Sequence, residues 1–192
     1  MINLPQKCIF SIGSNQGDSL ATITAAIKEL EQTPGLDVDA VSSFYRTKPV
    51  GDENQPDFLN AAVRVQSTLT PLTLLRRTQA IEKKHGRLRD PSRPKGPRTL
   101  DIDLIVIDDL ESHSAELTLP HPAAHLRGFV LVPWAEIDPE ALLPQGRIID
   151  LINQLDVSGI EKFPVNSPRR TLTKALMSKP MDVNMYNPVR GL

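Results

Sequence analysis

Along this 192-residue chain the apolar side chains recur every second residue in some stretches and every third or fourth in others. That change of period divides the sequence into elements. Residues 7–13 read as a strand that breaks at Gly13-Ser14-Asn15. Asp18 or Ser19 then caps a helix to about Glu31, with Leu20, Ile23, Ile27 and Leu30 on one face. Beyond Pro34-Gly35, residues 36–47 read as a strand, and the loop Gly51-Asp52-Glu53-Asn54-Gln55-Pro56 leads into another from Phe58 to Gln66. Thr70-Pro71 has the chemistry of a helix start, and the periodicity carries that helix to about Lys84, where Gly86 stops it. A basic loop and an apolar strand ending near Ile107 follow.

The order strand-helix-strand-strand-helix-strand predicts an α+β fold, a ferredoxin-like βαββαβ core whose mostly antiparallel sheet carries its helices on one face. C-terminal additions should pack onto it: an edge strand over Leu117–Pro120 and helices near 122–126, 129–137 and 148–155. Residues 1–156 are expected to form one domain. From 157 to 192 the chain holds four prolines, and Lys and Arg outnumber Asp and Glu six to two. A flexible or weakly docked basic tail is the expectation there.

Composition narrows the function classes. With 40% hydrophobic residues and a net charge of −1, the chain can bury a real core and shows no global attraction to nucleic acid or anionic membranes. Its one cysteine, Cys8, excludes an internal disulfide or a cysteine-based zinc site and reads as a buried thiol. The first residues lack a signal peptide's apolar run, and no segment is long enough to span a bilayer, so the expectation is a cytoplasmic protein. A P-loop kinase is excluded because no Gly-x-x-x-x-Gly-Lys-Ser/Thr loop is present.

The chemistry concentrates in Arg98-Thr99-Leu100-Asp101-Ile102-Asp103-Leu104. Side chains alternate along a strand, so Asp101 and Asp103 share a face with Cα atoms about 6.6 Å apart. Such a pair can converge on one divalent metal or two, although a solvated outer face or a salt-bridged edge has the same pattern. Seven Lys or Arg between Lys83 and Arg98, against Asp90 alone, put a cationic loop beside the pair. Polyphosphate with Mg²⁺ calls for that combination. With Pro91, Pro94 and Pro97 and only Leu88 to anchor it, the segment 87–98 is expected to be mobile and to order over polyphosphate.

Taken together, Gly13-Ser14-Asn15, Ser43-Phe44-Tyr45-Arg46-Thr47, Gln55-Pro56-Asp57-Phe58-Leu59-Asn60-Ala61-Ala62, Gly96-Pro97-Arg98-Thr99-Leu100-Asp101-Ile102-Asp103, Leu119-Pro120-His121 and Arg127-Gly128-Phe129 closely resemble the 6-hydroxymethyl-7,8-dihydropterin pyrophosphokinases of folate biosynthesis. The resemblance spans about residues 7–155. It implies a pyrophosphokinase-like catalytic domain that moves the β,γ-pyrophosphoryl group of ATP to the pterin's hydroxymethyl oxygen and releases AMP, with two Mg²⁺ ions.

By the same resemblance Asp101 and Asp103 hold metal, and Arg87 and Arg98 bind phosphate. Phe58 and Phe129 sandwich the pterin, Asn60 reads its edge, and Thr47 and Val50 add backbone and loop contacts. Gln79, Glu82, Arg89, Arg98, His121 and Arg127 meet ATP. The resemblance further implies a monomer whose partners are ATP and the pterin, with no nucleic acid and no membrane. Read locally, without the resemblance, Phe58 and Phe129 are ordinary core residues and Glu82 is a solvated helix position. Where relatives often carry an aromatic before Gly-Pro-Arg this chain has Lys95, and Glu116 and His125 stand where basic residues can occur. A different Mg²⁺-dependent phosphoryl or nucleotidyl transferase would keep the carboxylates without needing Phe58, Asn60 and Phe129 together. A nucleic-acid-binding module would want sheet aromatics, and aromatics are only 4% of this chain.

Overall fold

In the computed structural model, which describes residues 4–88, 93 and 96–164, the predicted helix starts appear as capped helices. The Asp18 carboxylate accepts from the Ala21 amide at the head of α1 (Ser19–Glu31), and the Thr70 hydroxyl accepts from the Thr73 amide ahead of Pro71 in α2 (Pro71–Lys84). Each cap satisfies a backbone donor that has no partner within the helix. Gly86, at φ +76°, ends α2 in the left-handed region.

The main sheet contains β1 (Gln6–Ser14), β2 (Leu36–Val41), β3 (Tyr45–Thr47), β4 (Phe58–Ser67), β5 (Asp101–Ile107) and β10 (Ile160–Lys162). Its order is β10-β3-β4-β1-β5, with β2 also on β4, and every pairing is antiparallel. Alternation sorts the side chains. Cys8, Phe10, Ile12, Val63, Val65, Ile102 and Leu104 point into a core with Ile23, Ile27 and Leu30 of α1 and Leu74 and Ile81 of α2. Burial pushes the Cys8 thiol up to about 12, with the charge of Asp108 adding to the effect.

The two helices of the expected core, α1 and α2, pack on one face of the sheet. A second core forms on the opposite face, where Ile9, Ala62, Ile105 and Val106 meet Val130, Leu131 and Trp134 of α3 (Gly128–Ile137) and Ile148 and Leu151 of α4 (Ile148–Ile152). With both faces covered, β5 is nearly continuous in apolar residues, and the two aspartates at its start are the exception.

Elsewhere the elements differ from the sequence expectation. The strand expected over 36–47 breaks at residues 42–44, because Ser42 donates its amide to the Ala62 carbonyl while its hydroxyl accepts from the Ala62 amide. Leu117–Pro120 does not edge the main sheet: among the described residues β7 (Thr118–Leu119) pairs only with β6 (Ser112–His113). The helix near 122–126 is a single 3₁₀ turn, Ala124–Leu126, and α4 stops at Ile152, short of 155. The tail expected from 157 begins instead as β10 on β3, while residues 165–192 lie outside the described residues. A hairpin of β8 (Leu142–Leu143) and β9 (Gly146–Arg147) has no counterpart in the sequence reading. No helix among the described residues is long and apolar enough to cross a membrane.

Candidate active site

One cross-strand row holds much of the candidate site. Lys162, Tyr45, Asn60, Gly13 and Asp101 stand opposite one another in turn across β10, β3, β4, β1 and β5. Two positions to one side of this row Thr47 stands opposite Phe58, and two positions to the other side Ala62, Ser11 and Asp103 align. Gly13 leaves the floor bare between an amide and a carboxylate. A Cβ there would lie 2.8 Å from the Asn60 side-chain oxygen, so the amide needs the space that glycine leaves.

Asn60 is buried, and its Nδ2 donates to the Thr47 hydroxyl at 2.8 Å. That bond orients the amide with its oxygen over Gly13. Phe58 and Phe129 are half-buried, and Phe129 packs against the second core. Each has a guanidinium beside its ring, Arg98 at 5.9 Å from the Phe58 centroid and Arg127 at 5.7 Å from that of Phe129. Val50, 68% exposed, stands out in solvent on the loop that follows β3.

Both oxygens of Asp101 are held by arginine. Arg87 Nη1 lies 2.6 Å from Oδ1 and Arg98 Nη1 2.5 Å from Oδ2. Arg87 also donates to the Leu100 carbonyl at 2.7 Å, and its buried Nε has no hydrogen-bond partner among the described residues, with Glu82 Oε2 at 3.7 Å. Asp103 is less well compensated, with Arg127 Nη1 at 3.5 Å. Desolvation first, then the charge of Asp101, raise its pKa to about 6, with Arg127 opposing. Two oxygen donors that resist holding two negative charges fit a hard cation such as Mg²⁺, which takes one or two carboxylates and completes its shell with water and phosphate. Among the described residues no cluster of three or more His, Cys, Asp or Glu offers a fuller protein cage.

The expected ATP residues divide. Gln79, Glu82 and His121 line a cavity of about 290 Å³ together with Thr78, Ile102 and Asp103. Glu82 is not the solvated helix position that periodicity allows: it is 4% exposed and accepts from the Ile102 amide at 2.8 Å, fastening α2 to β5 between the two aspartates. His121 Nδ1 accepts from the Ala123 amide, which puts the ring proton on Nε2, and burial followed by the charge of Arg127 lowers its pKa. Arg89 lies outside the described residues, as do 90–92, 94 and 95 of the basic loop.

Three further contributors have no role assigned to them from the sequence. Asn15 exchanges backbone and side-chain bonds with Arg98 and donates Nδ2 to the Gln55 side chain and the Pro56 carbonyl, joining two loops. Asp52 takes Arg93 Nε at 2.6 Å, which lowers its pKa. Glu136 of α3 accepts from the amide and hydroxyl of Ser43 and from the Tyr45 hydroxyl, and these bonds hold its pKa down against desolvation. A buried amide at a strand end, such as Asn15, was the one available signal, since it must find partners somewhere.

The family model for 7,8-dihydro-6-hydroxymethylpterin-pyrophosphokinase (HPPK) matches residues 9–139. The 2-amino-4-hydroxy-6-hydroxymethyldihydropteridine pyrophosphokinase of Synechocystis sp. is 41% identical over 163 residues, covering 82% of this chain and 82% of that protein. The enzyme of that name from Methylorubrum extorquens is 41% identical over 156 residues, 81% of this chain and 98% of its own. Among solved structures, Plasmodium falciparum HPPK-DHPS with pterin and p-hydroxybenzoate superposes with a TM-score of 0.62 at 15% identity, a likeness of fold. The matched region covers 80% of this chain and 42% of that one, so this chain spans less than half of it.

Proposed function

This chain belongs to the 7,8-dihydro-6-hydroxymethylpterin-pyrophosphokinase family, and from that premise we propose that it transfers pyrophosphate from ATP to 6-hydroxymethyl-7,8-dihydropterin in folate synthesis, releasing AMP. The observation that carries this reading is the row in which Asn60 and Asp101 flank bare Gly13, with Arg87 and Arg98 on the carboxylate and Phe58 beside the amide.

The pterin would lie between Phe58 and Phe129, two flat apolar faces that exclude water from its ring. The Thr47 hydroxyl fixes the Asn60 amide, leaving the oxygen to accept from the donor edge of the heterocycle. Adenosine would occupy the cavity beside Gln79 and His121. Polyphosphate oxygens compete with Asp101 for the donors of Arg87 and Arg98, whose planar forks suit bidentate phosphate binding. As those donors turn to phosphate, Asp101 becomes available beside Asp103. Two Mg²⁺ ions held there would neutralise the phosphate oxygens and help align attack in line with the leaving group. Arg127, already near Asp103, is placed to follow the charge that develops on the departing AMP.

The strand order supports a ferredoxin-like core, with α3, α4 and β10 as additions. The decisive assay incubates the protein with ATP, Mg²⁺ and the pterin and separates the nucleotide products. AMP is expected in equal amount to pterin consumed, and ADP as the product would overturn the assignment.

A further inference from the structure

β10 lies beyond residue 139, where the family match ends, yet it touches both walls of the proposed pterin site. On one side Ile160 stands opposite Thr47, and Thr47 stands opposite Phe58 while holding the Asn60 amide. On the other side the end of the Ile160 side chain reaches α3 at Gly128, the residue between Arg127 and Phe129. A Cβ on Gly128 would lie 2.8 Å from Ile160 Cδ1 and 3.1 Å from Val157 Cγ1. Such distances leave no room for a methyl group on the helix.

The strap is secured at both ends. The Phe163 amide donates to the Phe44 carbonyl, Arg46 lies 5.1 Å from the Phe163 ring centroid, and Lys162 reaches Glu136 of α3 at 3.3 Å. At its start the Ile160 amide closes a turn onto the Val157 carbonyl. The segment 157–163 thus ties β3, which carries Thr47, to the first turn of α3, which carries Phe129.

We infer that Ile160 is a positioning residue for the pterin: wedged between Thr47 and Gly128, it sets the gap between the Phe58–Asn60 wall and the Phe129 wall. The inference rests on the reading of Thr47, Asn60 and Phe129 as pterin contacts. It assigns Ile160 no contact with substrate. Its effect falls chiefly on the pterin because β10 touches β3 and the turn of α3 that carries Phe129, while the cavity beside Gln79 and His121 is built from α2, β5 and the segment from Ala115 to Pro122.

The test uses the full chain and measures KM for each substrate, kcat and melting temperature. Ile160→Ala is expected to raise the pterin KM about tenfold while KM for ATP and kcat stay within about twofold. Glu161→Ala, on the exposed side of the same strand, is expected to change none of them. Gly128→Ala, which drives a methyl into Ile160 Cδ1, is expected to raise the pterin KM, and adding Ile160→Val, which deletes that Cδ1, is expected to restore it. This compensation needs no loss of fold and would not arise if the strap merely added stability. A lowered melting temperature with the pterin KM unchanged, equal losses for both substrates, or no rescue in the double variant overturns the inference. Asn60→Ala and Phe129→Ala are measured alongside. If they raise the pterin KM and Ile160→Ala does not, the inference alone falls; if they leave it unchanged, the pocket assignment falls and takes the inference with it.

Discussion

Asn60 and Asp101 face each other across Gly13, each its direct partner in an antiparallel pairing. With neighbouring strands about 4.8 Å apart, their backbones are about 10 Å from each other, room for an acceptor hydroxymethyl group and a phosphate between an amide and a carboxylate. Gly13→Ala would put a Cβ 2.8 Å from the Asn60 oxygen and force that amide to move. The pterin dissociation constant should rise tenfold or more, about 1.4 kcal/mol or above, with ATP affinity nearly unchanged. Calorimetric titration with each ligand separates the two, and equal weakening of both would mean that the sheet itself had been disturbed.

The two aspartates should differ in stability although both should be needed for turnover. Asp101→Ala takes the carboxylate from two guanidiniums, leaving Arg87, only 11% exposed, with the Leu100 carbonyl and with Glu82 at 3.7 Å. A cost of about 2 kcal/mol or more is expected, below the about 3–5 kcal/mol for breaking a fully buried pair because these groups remain partly hydrated. Asp103→Asn removes a charge that Asp101 repels and should melt at or above the wild-type temperature. Melting without Mg²⁺ together with turnover tests both, and full activity in either variant contradicts a metal role.

A pH signature follows from the raised Asp103. Its folded-state pKa of about 6 lies above the ordinary aspartate value, so its contribution to stability is fully present below about pH 4 and is lost as pH rises through about 6. In EDTA, the wild type should therefore lose stability relative to Asp103→Asn between about pH 4 and 6, and Mg²⁺ should bind more weakly as pH falls through the same window. A difference that stays flat across that window would show that Asp103 does not titrate there.

Glu82 offers a test of structure against chemistry. Glu82→Ala leaves the Ile102 amide buried without an acceptor, at about 1–3 kcal/mol. Glu82→Gln keeps an oxygen for that amide and should restore most of the melting temperature. Should alanine melt like the wild type, the α2–β5 bond contributes little.

The elements most legible in the sequence were those whose signals are local. Asp18, Thr70-Pro71 and Gly86 mark helix ends through bonds made within a few residues, and the structure places α1 and α2 where those residues put them. The Asp101–Asp103 pair was equally plain, because alternation along one strand fixes their shared face. What stayed hidden depends on partners far away in sequence. Ser42 breaks its strand by bonding to Ala62, Glu136 reaches back to Ser43, and β10 pairs with β3, far earlier in the chain. Glu82 shows the limit most clearly: read locally it is a solvated helix position, and only packing against β5 reveals that its carboxylate accepts from the Ile102 amide.

The shielding of Cys8 makes the chain convenient for spectroscopy. A thiol that ionises near 12 and has no exposure will scarcely react with maleimides at neutral pH, so the protein already has a silent cysteine background. A reporter introduced by Leu88→Cys, at a side chain 89% exposed beside Arg87, would be the sole labelled position without any cysteine first being removed. Its fluorescence or distance signal would then follow ligand arrival at the arginine end of the site from a single, unambiguous attachment point.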